Sequence, residues 1–303
     1  MHKKIIILIF IWFMVGCKKH TTEPASDLSP APLIIDHKCT DINKIPVEWI
    51  GKAREMLHIM YGHTSHGSQL VSGMEALFLY HGNTYSYNSG GTNGALDLRE
   101  GDGYGSGDMD HDCGYYPNWV NETRAYLGNP NTSGRGSNHP EINVIIWLWC
   151  GQAAGYDEQT MNDAYLNAMT ELENEYYGVK FVYMTCHLDG TGADGNLNLR
   201  NEQIRTYCRN NNKILFDFAD IESYDPDGLI NYMELNADDA CNYDSSGHRV
   251  NWADSWINRN PSSVIAQETE QCGGCAHSHC LNCVLKGRGV WWLWARLAGW
   301  NGK

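Results

Sequence analysis

The run Asn143-Val-Ile-Ile-Trp-Leu-Trp149 is apolar from Val144 onward. It is too short for a buried helix, and its β-branched and aromatic residues suit a strand. A strand apolar on both faces belongs inside a sheet that is covered on both sides. The same pattern returns downstream at 179–185 (VKFVYMT) and 213–219 (KILFDFA). Upstream, Glu55-Met-Leu-His-Ile-Met-Tyr61 is a further buried strand candidate, ending at Gly62. Between these runs lie segments of helical period. Residues 66–80 carry apolar side chains at 70, 71, 74, 77 and 78, and residues 157–176 carry them at 161, 165, 169 and 172. Residues 198–211 read as a helix and 284–299 as a terminal one, with a short strand candidate at 83–87. The Gly- and Asp-rich segment 89–115 reads as a long loop, and 220–270 as irregular. Strands alternating with amphipathic helices predict an α/β fold, a central parallel sheet in a three-layer α/β/α sandwich. Ligands bind such sheets beyond the C-terminal strand ends. Polar clusters at 62–69, 150–156 and 185–195 fall there, and a fourth at 272–283 precedes the last helix.

The chain has 303 residues, 42% of them apolar and 11% aromatic, enough for one sizeable core. Only 19% are charged, which excludes a coiled coil and a disordered chain. No repeat of fixed period is present, which excludes solenoids and propellers. The net charge of −14 repels phosphate backbones, so nucleic acid is not an expected partner.

The N-terminus reads MHKKIIILIFIWFMVGC. Lys3 and Lys4 precede an apolar run over 5–15, too short to span a bilayer but suited to a signal peptide. Met14-Val15-Gly16-Cys17 resembles a bacterial lipobox, with Met in place of the usual Leu. The resemblance implies cleavage before Cys17, lipidation of its thiol, and an exported lipoprotein anchored to a membrane at the periplasmic or cell surface. The alternative is an ordinary secretory signal. The expected organisation is a signal peptide over 1–17, a proline-containing tether over 18–40, and one domain over 41–303. Ten cysteines follow Cys17, and export to an oxidising compartment favours disulfides among them, in pairings that spacing does not give. Cys150 and Cys186 lie in apolar runs and read as buried thiols.

Three of the polar clusters carry candidate chemistry. In Tyr61-Gly-His-Thr-Ser-His-Gly-Ser-Gln69, Ser65 sits on a turn between strand and helix. A hydroxyl there is exposed, and the helix N-terminus offers amides to a developing oxyanion. The competing role is a helix N-cap. Gly151 and Gln152 follow the central strand and would face the same crevice. In Cys272-Gly-Gly-Cys-Ala-His-Ser-His-Cys-Leu-Asn-Cys283, His277 or His279 could serve as general base. Two CxxC pairs with histidines also suit zinc, but only four residues separate the pairs, and export favours disulfides.

Together these features resemble the SGNH hydrolase (GDSL-like esterase) superfamily. His63-Thr-Ser-His-Gly67 looks like a His-x-Ser-x-Gly variant of the family's first block. Cys150-Gly-Gln152 stands where Gly-x-Asn-Asp is expected, and the last segment is similar to the Asp-x-x-His block. The resemblance implies a flavodoxin-like SGNH fold, Ser65 as nucleophile and His277 or His279 as base. It also implies oxyanion or substrate contacts from Gly67, Gly151, Gln152 and His63, with no cofactor required. Three departures stand out. Gly-Asp-Ser is absent, Gln152 replaces Asn, and Gly274 and Ala276 stand where an acid should precede the histidine. Orientation of the base would then fall to a carbonyl or to Asp238, Asp239, Asp244 or Asp254.

Asp225, Asp227 and Glu234 match calcium-loop positions 3, 5 and 12, with Ser223 at position 1, so calcium is a candidate cofactor. Asp108, Asp110 and Asp112 form a second acidic cluster. Tyr104, Tyr115, Tyr116, Trp119 and Tyr156 are candidates for stacking on sugars, whereas the 291–294 aromatics read as core. The expected function is a serine esterase that hydrolyses acyl esters, acetyl among them, on a polysaccharide. The alternatives are a non-catalytic carbohydrate-binding lipoprotein and a metal-dependent enzyme using the 272–283 Cys/His cluster.

Overall fold

In a computed structural model describing residues 31–101 and 108–303, the run at Val144–Trp147 is the middle strand of a seven-stranded, all-parallel sheet. The strands are β1 (Leu33–Ile35), β2 (His58–Gly62), β3 (Tyr87–Asn88), β4 (Leu96–Gly101), β5 (Val144–Trp147), β6 (Lys180–Met184) and β7 (Ile214–Phe216). They lie in the order β1-β7-β6-β5-β2-β4-β3. From β2 the chain crosses to the edge strand β3, steps back to lay β4 between β3 and β2, and then places β5, β6 and β7 in turn on the other side of β2. The direction therefore reverses between β2 and β5, where α/β sheets open a crevice for ligands.

Side-chain alternation shows why both faces are covered. Val144 and Ile146 pack into one core cluster, Ile145 and Trp147 into the other. In β6, Val182 and Met184 face the first cluster, Phe181 and Tyr183 the second. The first face is covered by α1 (Val47–Met56), α2 (Ser68–His81) and the later terminal helix. The second is covered by α3 (Asn118–Leu127), α4 (Glu158–Met161), a π-helical turn, α5 (Asn167–Glu175) and α6 (Asn196–Asn210). The result is the expected three-layer α/β/α sandwich. Then come α7 (Phe218–Glu222), the antiparallel hairpin of β8 (Asn242–Ser245) and β9 (His248–Asn251), α8 (Trp252–Arg259), α9 (Val264–Glu270) and α10 (Cys280–Leu297). Trp291, Trp292 and Trp294 are buried, as the 291–294 reading expects.

Several boundaries differ from the sequence expectation. The signal peptide, Cys17, Tyr104 and the first part of the tether lie outside the described residues. The tether's last part is structured: β1 pairs in parallel with β7, and 3₁₀ turns follow from His37. Three apolar residues after Pro32 suffice for an edge strand, too few to stand out by period. Glu55 and Met56 close α1, so the first strand begins at His58. Residues 83–87 form mainly a 3₁₀ turn. The expected loop at 89–115 contains β4, whose Leu96-Asp-Leu-Arg-Glu-Gly101 hides its apolar alternation behind charge. Asp97 is buried there because Arg99 and His58 hydrogen-bond its carboxylate. Burial pushes that carboxyl up, but these partners hold it below the usual range. The irregular 220–270 segment contains α7, the hairpin, α8 and α9.

One helix crossing brings the functional segments together. A Cβ built on Gly73 of α2 would meet the Cys283 carbonyl oxygen at 1.9 Å, and one on Gly287 of α10 would meet Gly73 at 2.4 Å. The two backbones touch at this crossing, which only glycine permits. The N-terminal ends of α2 and α10 carry the turn of Ser65 and the loop of His277.

Candidate active site

The turn after β2 is built from short polar contacts. The Gly67 amide donates to the Thr64 carbonyl at 2.9 Å, and the Ser68 hydroxyl donates to the Ser65 carbonyl at 2.7 Å. Tyr61 hydroxyl donates to the Gly67 carbonyl at 3.0 Å. The N-cap of α2 is Gly67, with no side-chain cap bond, so Ser65 is not the cap. Its hydroxyl lies 2.9 Å from Nε2 of His277.

His277 is exposed and adopts φ +63°, a conformation that costs a non-glycine residue energy. The contacts around it hold that conformation. The disulfide Cys275–Cys283 ties the loop to α10. Gln69 Nε2 donates to the Ala276 carbonyl at 2.6 Å. Ser278 Oγ donates to the Asp239 carbonyl at 2.6 Å, and Asn282 Nδ2 donates to Ser278 Oγ at 2.8 Å. Gln69 is in turn bonded by the buried ammonium of Lys286, which pairs with Glu222 at 2.8 Å. Burial pushes the Glu222 carboxyl up and the Lys286 ammonium down, while each partner opposes the other's shift.

His279, the alternative base, faces elsewhere. It N-caps α10, accepting from the Leu281 amide at 3.0 Å, and its Nε2 lies 3.4 Å from Asp254. Burial pushes its imidazole below the ordinary value, against the pull of Asp254. The expected oxyanion set is also dispersed. His63 is buried, with Nε2 3.3 Å from Glu100 and Nδ1 2.9 Å from the Thr64 carbonyl. Gly67 has spent its amide within the turn. Gln152 packs its amide carbon against Gly114, with Oε1 buried. Gly151 follows β5, beside Cys150.

Two further histidines and a cysteine converge next to Ser65, and sequence reasoning did not single out the histidines. His66 is 5% exposed, with Nε2 3.1 Å from Asp239 and Nδ1 3.3 Å from Cys150 Sγ. Its ring stacks on His277 at 4.3 Å and on His187 at 4.2 Å. Burial works against charge on His66, but Asp239 and Cys150 outweigh it and raise the imidazole to about 9. His187 moves the other way, to about 3, first through burial and then through the charge on His66. Burial pushes Asp239 up, but His66 and the neighbouring histidines hold its carboxyl below the usual range. Of the four acids considered for orienting the base, Asp239 is the one at the site.

His66, Asp239 and His277 each offer a ligand atom within 4.8 Å of the others, the one such group among the described residues. The His66 and His277 rings are parallel to within 9°. In-plane lone pairs on stacked parallel rings cannot meet at one ion, so metal binding requires one ring to turn. The 272–283 cluster has one cysteine of each CxxC pair in the disulfide, which removes the four-thiolate zinc set. Asp225 is engaged by protein donors: the Asp227 amide at 3.1 Å, Tyr232 hydroxyl at 3.1 Å and Arg259 at 3.6 Å. Glu234 accepts from Asn231 instead. Asp112 accepts the Thr64 hydroxyl at 2.7 Å, fixing the 108–115 segment to the serine turn. Of the aromatic candidates, Trp119 is fully buried in the core and Tyr156 half-buried, while Tyr115 and Tyr116 are about half exposed.

The chain matches no family model, no curated protein and no solved structure.

Proposed function

We propose that the protein is a serine esterase of the SGNH hydrolase type, acting on acyl esters of a polysaccharide as an exported lipoprotein. The observation that carries this reading is the 2.9 Å contact between Ser65 Oγ and His277 Nε2 at the C-terminal edge of β2. A free hydroxyl is a weak nucleophile and needs a base within hydrogen-bond reach. His277 accepts the Ser65 proton as Oγ attacks the ester carbonyl. The backbone amide of Ser65 is the donor assigned to the oxyanion. The imidazolium formed on His277 has the Asp239 carboxylate within 4.8 Å and the ring of His66 stacked on it at 4.3 Å. The proton then passes to the leaving alcohol, and water repeats the cycle on the acyl-serine. Tyr115 and Tyr116 expose aromatic surface on a segment held to this end of the sheet by the Cys113 amide, which donates to the Leu148 carbonyl. Such surface suits a sugar ring.

The test is turnover of a generic acyl ester. Ser65→Ala and His277→Ala should each lose on the order of 10³-fold or more, and the double variant should be little worse than either. His279→Ala should stay active. Normal turnover in Ser65→Ala would end the esterase reading and leave a non-catalytic carbohydrate-binding protein.

A further inference from the structure

Ser65 and His66 are adjacent, yet their side chains serve different partners. Ser65 meets His277, while His66 meets Cys150 on one ring nitrogen and Asp239 on the other. The second arrangement is itself ordered as a nucleophile, a base and a carboxylate that orients the base. We propose that Cys150, His66 and Asp239 form a second nucleophilic centre in the same crevice, independent of Ser65, which accepts an acyl group from a thioester.

Geometry supplies the argument. Cys150 follows β5, His66 follows the neighbouring β2, and Asp239 comes from the turn before β8. The Sγ–Nδ1 distance is 3.3 Å and the Nε2–carboxylate distance 3.1 Å. Cys150 is half-buried, like Cys39, Cys272 and Cys280, whereas Cys113, Cys186, Cys208 and Cys241 are buried; of the half-buried thiols among the described residues it is the one hydrogen-bonded to a histidine that a carboxylate orients. The hydrogen bond from His66 holds the Cys150 thiol below its ordinary value, against burial and against the nearby Asp112. Around His66, Asp239 and Glu222 favour its charge and His187 is held neutral. A thiolate beside an imidazolium is the reactive form of cysteine.

The chemistry selects the substrate class. In a tetrahedral adduct, the group of lower pKa leaves faster. An alkoxide competes less well than a thiolate with the stabilised Cys150 thiolate, so an ordinary ester adduct reverts more often than a thioester adduct. A thioester expels a thiolate of comparable basicity, so its adduct goes forward. Cys150 sulfur attacks the thioester carbonyl carbon and a new C–S bond forms. The substrate's own C–S bond breaks, and its sulfur leaves with the proton from His66 Nδ1. Neutral His66 then takes a proton from water as the water oxygen attacks the acyl-cysteine. The acyl C–S bond breaks, releasing the carboxylic acid and restoring thiolate and imidazolium.

The experiment uses the full chain carrying Ser65→Ala, a generic acyl thioester with free-thiol readout, and iodoacetamide labelling mapped by peptide. Thioester turnover should persist in Ser65→Ala and fall on the order of 10²-fold or more when Cys150→Ala is added. In the unmutated chain, Cys150 should be labelled with a midpoint below the ordinary thiol value of about 8.5. His66→Gln should return that midpoint to the ordinary range. Labelling needs no mutation, so it remains decisive if His66→Gln fails to fold. Thioester turnover lost with Ser65→Ala, or unchanged by Cys150→Ala, overturns the proposal. A Cys150 midpoint at or above 8.5 overturns it too. The esterase reading stands or falls separately, on ester turnover.

Discussion

Ser65 and His277 are 212 residues apart in the chain, and their side chains meet at 2.9 Å because the helices that carry them touch backbone to backbone. The contact belongs to the crossing of α2 and α10 at Gly73 and Gly287, not to either local segment.

Substitution at that crossing should therefore disturb the site from a distance. A Cβ at Gly73 would lie 1.9 Å from the Cys283 carbonyl, where backbone must move. Gly73→Ala is expected to destabilise by about 1–3 kcal/mol, as overpacking does, and to lower ester turnover by separating Ser65 from His277. Gly51→Ala, inside α1, has open space, so it should leave turnover unchanged and stabilise by about 0.5–1 kcal/mol through helix propensity. Denaturant midpoints and turnover, read together, check this. Equal behaviour of the two variants would refute the role of the crossing.

The buried Lys286–Glu222 pair makes a second prediction. Both side chains are fully buried, and Lys286 also supports Gln69 beneath the His277 loop. Lys286→Met leaves an uncompensated carboxylate and should cost about 3–5 kcal/mol. Adding Glu222→Gln removes the orphan charge and should recover part of that loss. A double variant no more stable than the single in urea melts would contradict the pair's role.

His187 sets an acid-side stability window. Its folded pKa is near 3, against about 6.5 unfolded, so between these values the unfolded chain binds more protons. Its contribution is complete above about pH 6.5 and is lost progressively as pH falls toward 3. His187→Gln should therefore lose less stability than the parent between pH 7 and pH 5, which melting temperatures at both values will show. An equal loss in the two proteins would place the acid sensitivity elsewhere.

What the sequence made legible follows from the range of the interactions. The central strands were readable because each is apolar on both faces. Ser65 and His277 were readable as residues at element boundaries, one after a strand and one before a helix. β4 was missed because Asp97 and Arg99 sit inside it, and Asp97 is buried with a second partner, His58, that comes from the adjacent strand. His66 lay within the quoted motif, but its meaning depends on Cys150 and Asp239, 84 and 173 residues away. Nothing local to position 66 distinguishes that histidine from His63, which turns toward Glu100.

The N-terminal proposal is tested apart from the fold. Cys17→Ser should shift the protein from the membrane fraction to the soluble one, with the mass of the attached lipid lost. Retention in the membrane fraction would refute the anchor.

The disulfide Cys275–Cys283 should matter more to turnover than to folding. It closes a loop with a sequence separation of 8, and so short a loop stabilises by about 2–3 kcal/mol in the chain-entropy account. A fold with its core on both faces of a seven-stranded sheet should tolerate that loss. The same bond lies two residues from His277, whose φ of +63° needs its surroundings to hold it. With the bond gone, the hydrogen bonds from Gln69 to Ala276 and from Ser278 to Asp239 remain, but the anchor to α10 does not. Cys275→Ala/Cys283→Ala should therefore stay folded at 25 °C, lower ester turnover by about tenfold or more, and leave iodoacetamide labelling of Cys150 unchanged, because His66 is held from α2 and by Asp239. Loss of turnover only in parallel with loss of folded protein would show that the bond serves stability alone. Unchanged turnover in a folded double variant would show that the loop positions His277 without it.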